Sequence, residues 1–262
     1  MNSPDNHSPK STVLITGACG FLGQSLVGEF QATGFSVRAF DVSPPPSGCK
    51  PDEFHLGDVS DPTAVALACT GVDAIVIAHM APRHPGVYDS PVLPFDINVK
   101  GTALLCAEAA RQGVKRVILI SSIAVVDGHR TSTKRFLRDL PALPVGLYGL
   151  TKHLQEQILD FHCRAGNFTA VALRPAYVTD ADTLTDKYQT QRPSVNWQFI
   201  DRRDIAGAAI AALTTGRNAQ GIYYIHGHRK GPAHLETEPT ERDLQWTPRF
   251  DFSNWPDDAP RN

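Results

Sequence analysis

The feature that most constrains this chain is a short apolar run that breaks straight into glycines. Thr12-Val13-Leu14-Ile15-Thr16 is followed by a turn with glycine at 17, 20 and 23. Apolar residues that do not alternate with polar ones mark a strand covered on both faces, which calls for layers above and below the sheet. Beyond the turn, Phe21, Leu22, Leu26, Val27 and Phe30 recur at helical spacing over residues 21–33, and Gly34 supplies the stop. A strand buried on both faces, a glycine turn and a helix form the opening of a βαβ unit.

The alternation continues along the chain. Phe35 to Phe40 reads as a second strand closed by Asp41, residues 43–51 as a proline-rich loop, and Glu53 to Leu56 as a weak strand. Residues 61–70 read as a short helix with Asp61 as N-cap and Pro62 in its first turn. Asp73 to Ala78 and Arg116 to Ser121 are strong strands, separated by a proline-rich loop at 81–94 and a helix at 95–112. A helix at 146–165, a strand at 168–173, a possible strand at Gln198 to Ile200, a helix at 202–215 and a strand at Gly221 to Ile225 complete the series. Such a pattern predicts an α/β fold with a doubly wound parallel sheet, Rossmann-like, and a small C-terminal substrate lobe. Residues 1–10 are expected to be a disordered leader and 11–230 the nucleotide-binding domain, with an irregular substrate-lobe segment at 175–197. Residues 231–262 are expected to be a polar, weakly periodic lobe or tail.

Composition narrows the partners. The chain has 262 residues, 42% of them hydrophobic and 20% charged, enough for a buried core. Twenty-five Lys and Arg against 27 Asp and Glu leave a net charge of −2, which argues against nucleic-acid and membrane-surface partners. No apolar run reaches the roughly 18 residues of a spanning helix, and the first ten residues hold no signal-like apolar core. Five scattered cysteines, without a C-x-x-C pair, read as reduced thiols of a cytoplasmic protein and not as a zinc site.

The glycine turn sets a dinucleotide across the strand ends. Gly17 allows the tight turn, Gly20 lets backbone approach a diphosphate, and Gly23 allows close packing of helix on strand, with the diphosphate at the helix N-terminus. The plain alternative is a structural turn. Asp41 at the end of the second strand can accept both ribose hydroxyls of adenosine and would repel a 2′-phosphate, favouring NAD over NADP; the alternative is a turn aspartate. Asp58, after the third strand, can receive the adenine amino group or cap the turn. Ala78-His79-Met80 closes the fourth strand with small residues that let a dinucleotide pass, and His79 reads as part of the wall of that site.

The chemistry points to Tyr148 and Lys152, four apart on one helix. One turn of spacing puts both side chains on one face. An ammonium beside a phenol lowers its pKa, so Tyr148 can exchange a proton with a carbinol near neutral pH. The stripe of Leu147, Leu150, Leu154, Ile158 and Phe161 on the same helix is expected to be its core face. A hydroxyl partner is expected at the end of the fifth strand, where Ser122 is favoured over Ser121. His226 and His228 form an H-x-H pair without an apparent third ligand, so no metal is assigned. Trp197 is placed either in the lobe core or along the substrate.

Taken together, TGACGFLG at 16–23, GDVSD at 57–61, DINVKGTALL at 96–105, SSIAVVDG at 121–128, YGLTK at 148–152, LRPAYV at 173–178 and FIDRRDIAGAAIAAL at 199–213 resemble the extended branch of the short-chain dehydrogenase/reductase superfamily, the NAD-dependent epimerase/dehydratase family. The resemblance covers roughly residues 11–226. It implies NAD held by Gly17, Cys19, Gly20, Phe21, Leu22, Gly23, Asp41, Asp58, Val59, Ala78, His79, Met80, Asn98, Ser121, Tyr148, Lys152, Arg174 and Pro175. It further implies Tyr148 as acid/base, Lys152 on the nicotinamide ribose, a Ser or Thr on the substrate oxygen, Asn98 as a supporting residue, and a homodimer built from helices 95–112 and 146–165. One departure bears on the hydroxyl. The family's V-Y-G is Val126-Asp127-Gly128 here, and alignment on that glycine puts Ile123 at the Ser/Thr position, leaving Ser121, Ser122 and Ile123 open. The substrate is expected to meet Ser122, Ile123, Tyr148, Arg174 and Trp197. The short remainder outside the nucleotide fold favours a small hydroxylated, sugar-like substrate and an oxidoreductase. A sugar epimerase or dehydratase is the first alternative, and a non-catalytic dinucleotide sensor the second.

Overall fold

The computed structural model describes residues 10–215 and 218–259. The leader expected at 1–10 therefore lies, but for Lys10, outside the described residues. Seven parallel strands form the central sheet: β1 (Thr12–Thr16), β2 (Ser36–Asp41), β3 (Glu53–Leu56), β4 (Ala74–Ile77), β5 (Arg116–Ile120), β6 (Thr169–Arg174) and β9 (Gly221–Tyr224). Their order is β3-β2-β1-β4-β5-β6-β9, so the winding reverses between β1 and β4. Ligands of doubly wound sheets sit at such a switch, outside the carboxyl ends of the strands.

Helices cover both faces. α1 (Phe21–Ala32) and α6 (Arg202–Thr214) pack on one, where Leu26, Val27, Phe30, Ile205 and Ala209 meet Val13, Ile15 and Val76 of the sheet. α2 (Pro62–Cys69), α4 (Gly101–Gln112) and α5 (Leu147–Arg164) pack on the other against Leu14, Ile75, Val117 and Leu119. Val13, Leu14 and Ile15 are all wholly buried, which is why the run shows no alternation. Asp61 caps α2 by accepting from the Thr63 N–H at 2.8 Å, with Pro62 behind it.

Three stretches depart from the sequence reading. The helix expected at 95–112 begins earlier, with α3 (Val92–Pro94), and its first part is a π-helical segment, Phe95–Lys100. Residues 175–197 are not wholly irregular, since β7 (Tyr177–Thr179) pairs in parallel with β8 (Phe199–Asp201) as a two-stranded sheet. The region after Gly231 holds α7 (Glu238–Leu244) and contributes to the core: Trp246 lies over Gly207 of α6, and Phe252 joins Leu184, Val195 and Phe199. No helix among the described residues is long and apolar enough to cross a membrane.

The apolar stripe on α5 is not the core face expected: Leu150 is 36% and Phe161 61% exposed, Leu147 and Leu154 are half-buried, and only Ile158 packs against the core, while the buried residues of this helix are Gly149, Thr151, Lys152, Gln155, Glu156 and Leu159. The buried face can be polar because its groups have partners: Thr151 bonds Asn98, Gln155 bonds Thr102, and Glu156 accepts from Ser121 and Arg174.

Candidate active site

The cleft starts at the glycine turn. Gly17 has φ +69°, and a Cβ there would lie 2.8 Å from backbone atoms of His79, so no side chain fits between β1 and the end of β4. A Cβ on Gly23 would collide with the Gly17 carbonyl oxygen, which lets α1 close tightly on the turn. Gly20 is the N-cap of α1 and offers no side chain to its first N–H groups. Those donors and the helix dipole form an anion site. At the far end the Asp41 carboxylate accepts from the Cys19 N–H at 2.9 Å and from the Ser43 N–H at 3.0 Å. The carboxylate is thus pinned beside the glycine turn with acceptor capacity to spare. Burial, reinforced by Asp41, pushes the Cys19 thiol up to about 12, so this cysteine serves through its backbone.

From the turn, a cavity of about 250 Å³ runs along Gly17, Gly20, Phe21, Leu22 and Gly23, past Ala78 and Met80, to Ser121, Ser122, Tyr148, Lys152 and Pro175. A second cavity of about 290 Å³ adjoins it and shares Ser122 and Tyr148, with Ile123, Asp127, Arg130, Ala176, Tyr177 and Gln198 on its walls. Ser122 lies two residues beyond β5 and caps the 3-10 helix Ile123–His129, accepting from the Ala124 N–H at 3.1 Å. It shares the walls of both cavities with Tyr148, and its hydroxyl acts to lower the phenol's pKa. The Ser121 hydroxyl turns inward and donates to Glu156 Oε1 at 2.6 Å, and the Ile123 side chain is buried. Of the three positions left open by the spacing, only Ser122 therefore has a hydroxyl at Tyr148.

The electrostatics differ from the expectation for a Tyr/Lys pair. Burial raises the Tyr148 pKa, and the Ser122 hydrogen bond and the Arg83 charge only partly offset it. Lys152 is 2% exposed and donates to the Ile120 carbonyl at 2.8 Å. Burial, with Lys187 adding repulsion, pulls its pKa down to about 7. Burial thus disfavours the ammonium, and the Ile120 carbonyl gives it one acceptor.

Several expected site residues lie elsewhere. His79 is under the turn, not on its wall: Nδ1 bonds Thr16 Oγ1 at 2.8 Å, and burial lowers its pKa to about 3, keeping the ring neutral. Asp58 is exposed and accepts from the Ser60 N–H at 2.8 Å, and Val59 packs in the core below α4. Asn98, in the π-helical segment, is buried: it accepts from the Ala81 N–H at 2.7 Å and donates to Thr151 Oγ1 at 2.9 Å. It ties the 81–94 loop to α5. Arg174, expected at nicotinamide and substrate, is 2% exposed and forms a bidentate pair with Glu156 at 2.8 and 2.7 Å. An unpaired carboxylate could not be buried beside the sheet, so Glu156 claims the guanidinium. Trp197 stacks on His234 in the cluster of Phe136 and Leu235 and lines neither cavity. His226 and His228 do not converge: the first bonds the His228 carbonyl, the second Asp257.

Sequence reasoning missed four residues at the mouth. Arg83 lines both cavities, with Cζ 4.4 Å from the centroid of the Tyr148 ring. Lys187, Tyr188 and Tyr177 come from the segment read as surface and loop, with Asp186 accepting from the Tyr177 hydroxyl at 2.7 Å. The order of residues in a loop carries no periodicity that would reveal where it folds back. The 129–145 segment is tied to the C-terminal region through Phe136 N–H to His234 O at 2.8 Å and the Arg135–Glu238 ion pair.

Residues 13–182 match the NAD dependent epimerase/dehydratase family. The chain belongs to that family, and its cofactor is NAD. The chain spans about half the length of the curated relatives it matches. Sterol-4-alpha-carboxylate 3-dehydrogenase, decarboxylating, of Bos taurus is 32% identical over 165 residues, 62% of this chain and 45% of that protein. N-acetyl-alpha-D-glucosaminyl-diphospho-ditrans,octacis-undecaprenol 4-epimerase of Escherichia coli O157:H7 is 31% identical over 215 residues, 81% of this chain and 59% of that protein. Uronate dehydrogenase of Pseudomonas putida is 28% identical over 64% of this chain and 61% of its own. Among solved structures, a short-chain dehydrogenase/reductase superfamily protein from Agrobacterium tumefaciens with bound NAD superposes with a TM-score of 0.79 at 22% identity, covering 92% of this chain and 93% of that one. The structural likeness bears on the fold: the doubly wound sheet is shared.

Proposed function

We propose that this chain is an NAD-dependent oxidoreductase that moves hydride between nicotinamide and a small hydroxylated, sugar-like molecule. The observation that carries the reading is that Ser122 and Tyr148 both line the two adjoining cavities, so that a hydroxyl and a phenol border the space between them. NAD, when bound, supplies the hydride acceptor. The glycine turn and the uncapped start of α1 receive its diphosphate, Asp41 its adenosine ribose, and Lys152 its nicotinamide ribose. The Ser122 hydroxyl would hold the substrate oxygen; the Tyr148 phenol, kept protonated by burial, would give its proton to a carbonyl oxygen in the reductive direction, and only its phenolate would take the carbinol proton in the oxidative direction, as hydride leaves to the nicotinamide. The second cavity, at about 290 Å³, suits a small substrate better than one carrying a nucleotide handle.

An epimerase on the same site is the second reading, favoured by the 4-epimerase relative that covers 81% of this chain. One experiment separates the two. The protein is incubated with NAD and a panel of aldoses, sugar acids and hydroxy acids, and NADH is followed by its absorbance. A dehydrogenase accumulates NADH, whereas an epimerase recycles it in place and shows isomerised substrate without it. Tyr148→Phe is expected to lower turnover by about 10²- to 10⁴-fold, the range for a general acid/base, with NAD affinity nearly intact. Full activity in that variant would remove Tyr148 from the mechanism.

The proposal includes a homodimer and a cytoplasmic setting. The exposed Leu150 and Phe161 of α5 support the first. The five unpaired cysteines support the second, and recovery of the native protein from an extracytoplasmic fraction would count against it.

A further inference from the structure

The cleft around Tyr148 gathers three cations, and among the described residues none of them has a carboxylate within ion-pair distance. Arg83, Lys152 and Lys187 all line the cavity that holds Tyr148. Nearby arginines are committed: Arg130 to Asp127 at 2.8 Å, Arg202 to Asp180 at 2.9 Å, Arg174 to Glu156 at 2.7 Å. Among the described residues, Arg83 and Lys187 have no carboxylate within ion-pair distance; the Lys187 ammonium lies 3.8 Å from the Met80 sulfur and 5.1 Å from the Tyr188 ring centroid, with Asp186 acting on it from farther off. The adjacent acid, Asp186, is occupied by the Tyr177 hydroxyl and by the Tyr188 and Thr190 N–H groups. The cations also repel one another, Arg83 acting on Lys187 and Lys187 on Lys152.

Arg83 stands where an anion would be useful. Its guanidinium lies against the Tyr148 ring and belongs to both cavities, so it borders the space on the substrate side of the Ser122–Tyr148 pair. A guanidinium held against an aromatic ring with no carboxylate partner keeps N–H donors for an oxyanion, which it can bind with two parallel bonds. The glycine turn and the start of α1 are assigned to the cofactor's phosphates, whereas Arg83 also lines the second cavity, which the glycine turn does not reach.

We propose that the substrate is a small hydroxylated anion, a carboxylate or phosphate ester, whose charged group is received by Arg83 with Lys187 as second cation while its carbinol meets Ser122 and Tyr148. This rests on the oxidoreductase reading for the carbinol and adds the anionic handle. The test is calorimetric binding to the protein saturated with NADH. Its panel holds four- to six-carbon sugar acids and hydroxy acids, sugar phosphates, and the neutral aldoses and polyols of the same skeletons. Members of one anionic series are expected to bind at least tenfold more tightly than their neutral counterparts, and the series that does so distinguishes carboxylate from phosphate. Arg83→Gln is expected to weaken that anion by about 10- to 100-fold, the worth of one charge-assisted pair. Neutral-ligand and NADH affinities should stay within about twofold, and Arg83→Lys should restore part of the loss. Anions that bind no better than the neutral panel, or a preference that survives Arg83→Gln, overturn the proposal. Binding is read without turnover. An anion preference with no NADH formed from any panel member would therefore sink the oxidoreductase reading alone, and NADH formed from neutral members only would sink the anionic handle alone.

Discussion

At the scale of single residues, the site is built at a cost in stability. Lys152 keeps a desolvated ammonium next to the Ile120 carbonyl, and burial pulls its pKa from 10.5 to about 7. Below about pH 7 both folded and unfolded chains hold this proton, and the folded state bears the full desolvation penalty. Between pH 7 and the unfolded value the unfolded chain binds a proton that the folded chain has released, so stability from this group rises with pH. Lys152→Met, similar in shape, is therefore expected to raise the unfolding free energy of the NAD-free protein by about 2 kcal/mol or more at pH 6–7, with the gap closing toward pH 10, while turnover is lost. Urea denaturation across that pH range checks this; a variant less stable than the wild type at pH 6.5 would show that the ammonium is well compensated.

Elements must approach closely for such residues to meet. Gly149 follows Tyr148 on α5, and a Cβ there would collide with the Ala124 carbonyl oxygen of the 3-10 helix that starts at Ser122. This close approach brings the start of α5, with Tyr148, against the 3-10 helix that follows Ser122. Gly149→Ala should push α5 away from the strand end and lower kcat by about 100-fold, the scale of a 1 Å misplacement, with NAD binding at the glycine turn largely retained. A crystal structure or kcat of the variant unchanged from wild type would dismiss the contact as a determinant. Asn98 works at the same scale. The π-helical turn at Phe95–Lys100 aims its amide so that one side chain bonds the 81–94 loop and α5 together.

For the whole molecule, the exposed part of the α5 stripe needs a cover. Leu150 and Phe161 are exposed at 36% and 61% on a helix whose inner face is polar. Leu150→Glu with Phe161→Glu is expected to convert the proposed dimer to monomer in analytical ultracentrifugation. A wild-type protein that sediments as a monomer at micromolar concentration would remove the dimer.

The order of strands and helices was legible because a parallel sheet covered on both faces leaves an uninterrupted apolar run, as in Val13-Leu14-Ile15 and Ile75-Val76-Ile77. The gathering of the glycine turn, Asp41, Ser122 and the Tyr148/Lys152 helix around one cleft was legible because it depends on local geometry: spacing along one turn or one helix face. The destinations of Arg174, Trp197 and His79 were not, because each depends on a distant partner, Glu156, His234 and Thr16 respectively. Periodicity showed that α5 has an apolar stripe but not which side of the helix meets the sheet. The sequence by itself determined the fold and the core of the candidate chemistry, since local sterics and burial suffice for both. Only tertiary packing decided which charges are spent within the protein and which, Arg83 and Lys187, stand open toward the cleft, because pairing of charges is a property of space and not of order along the chain.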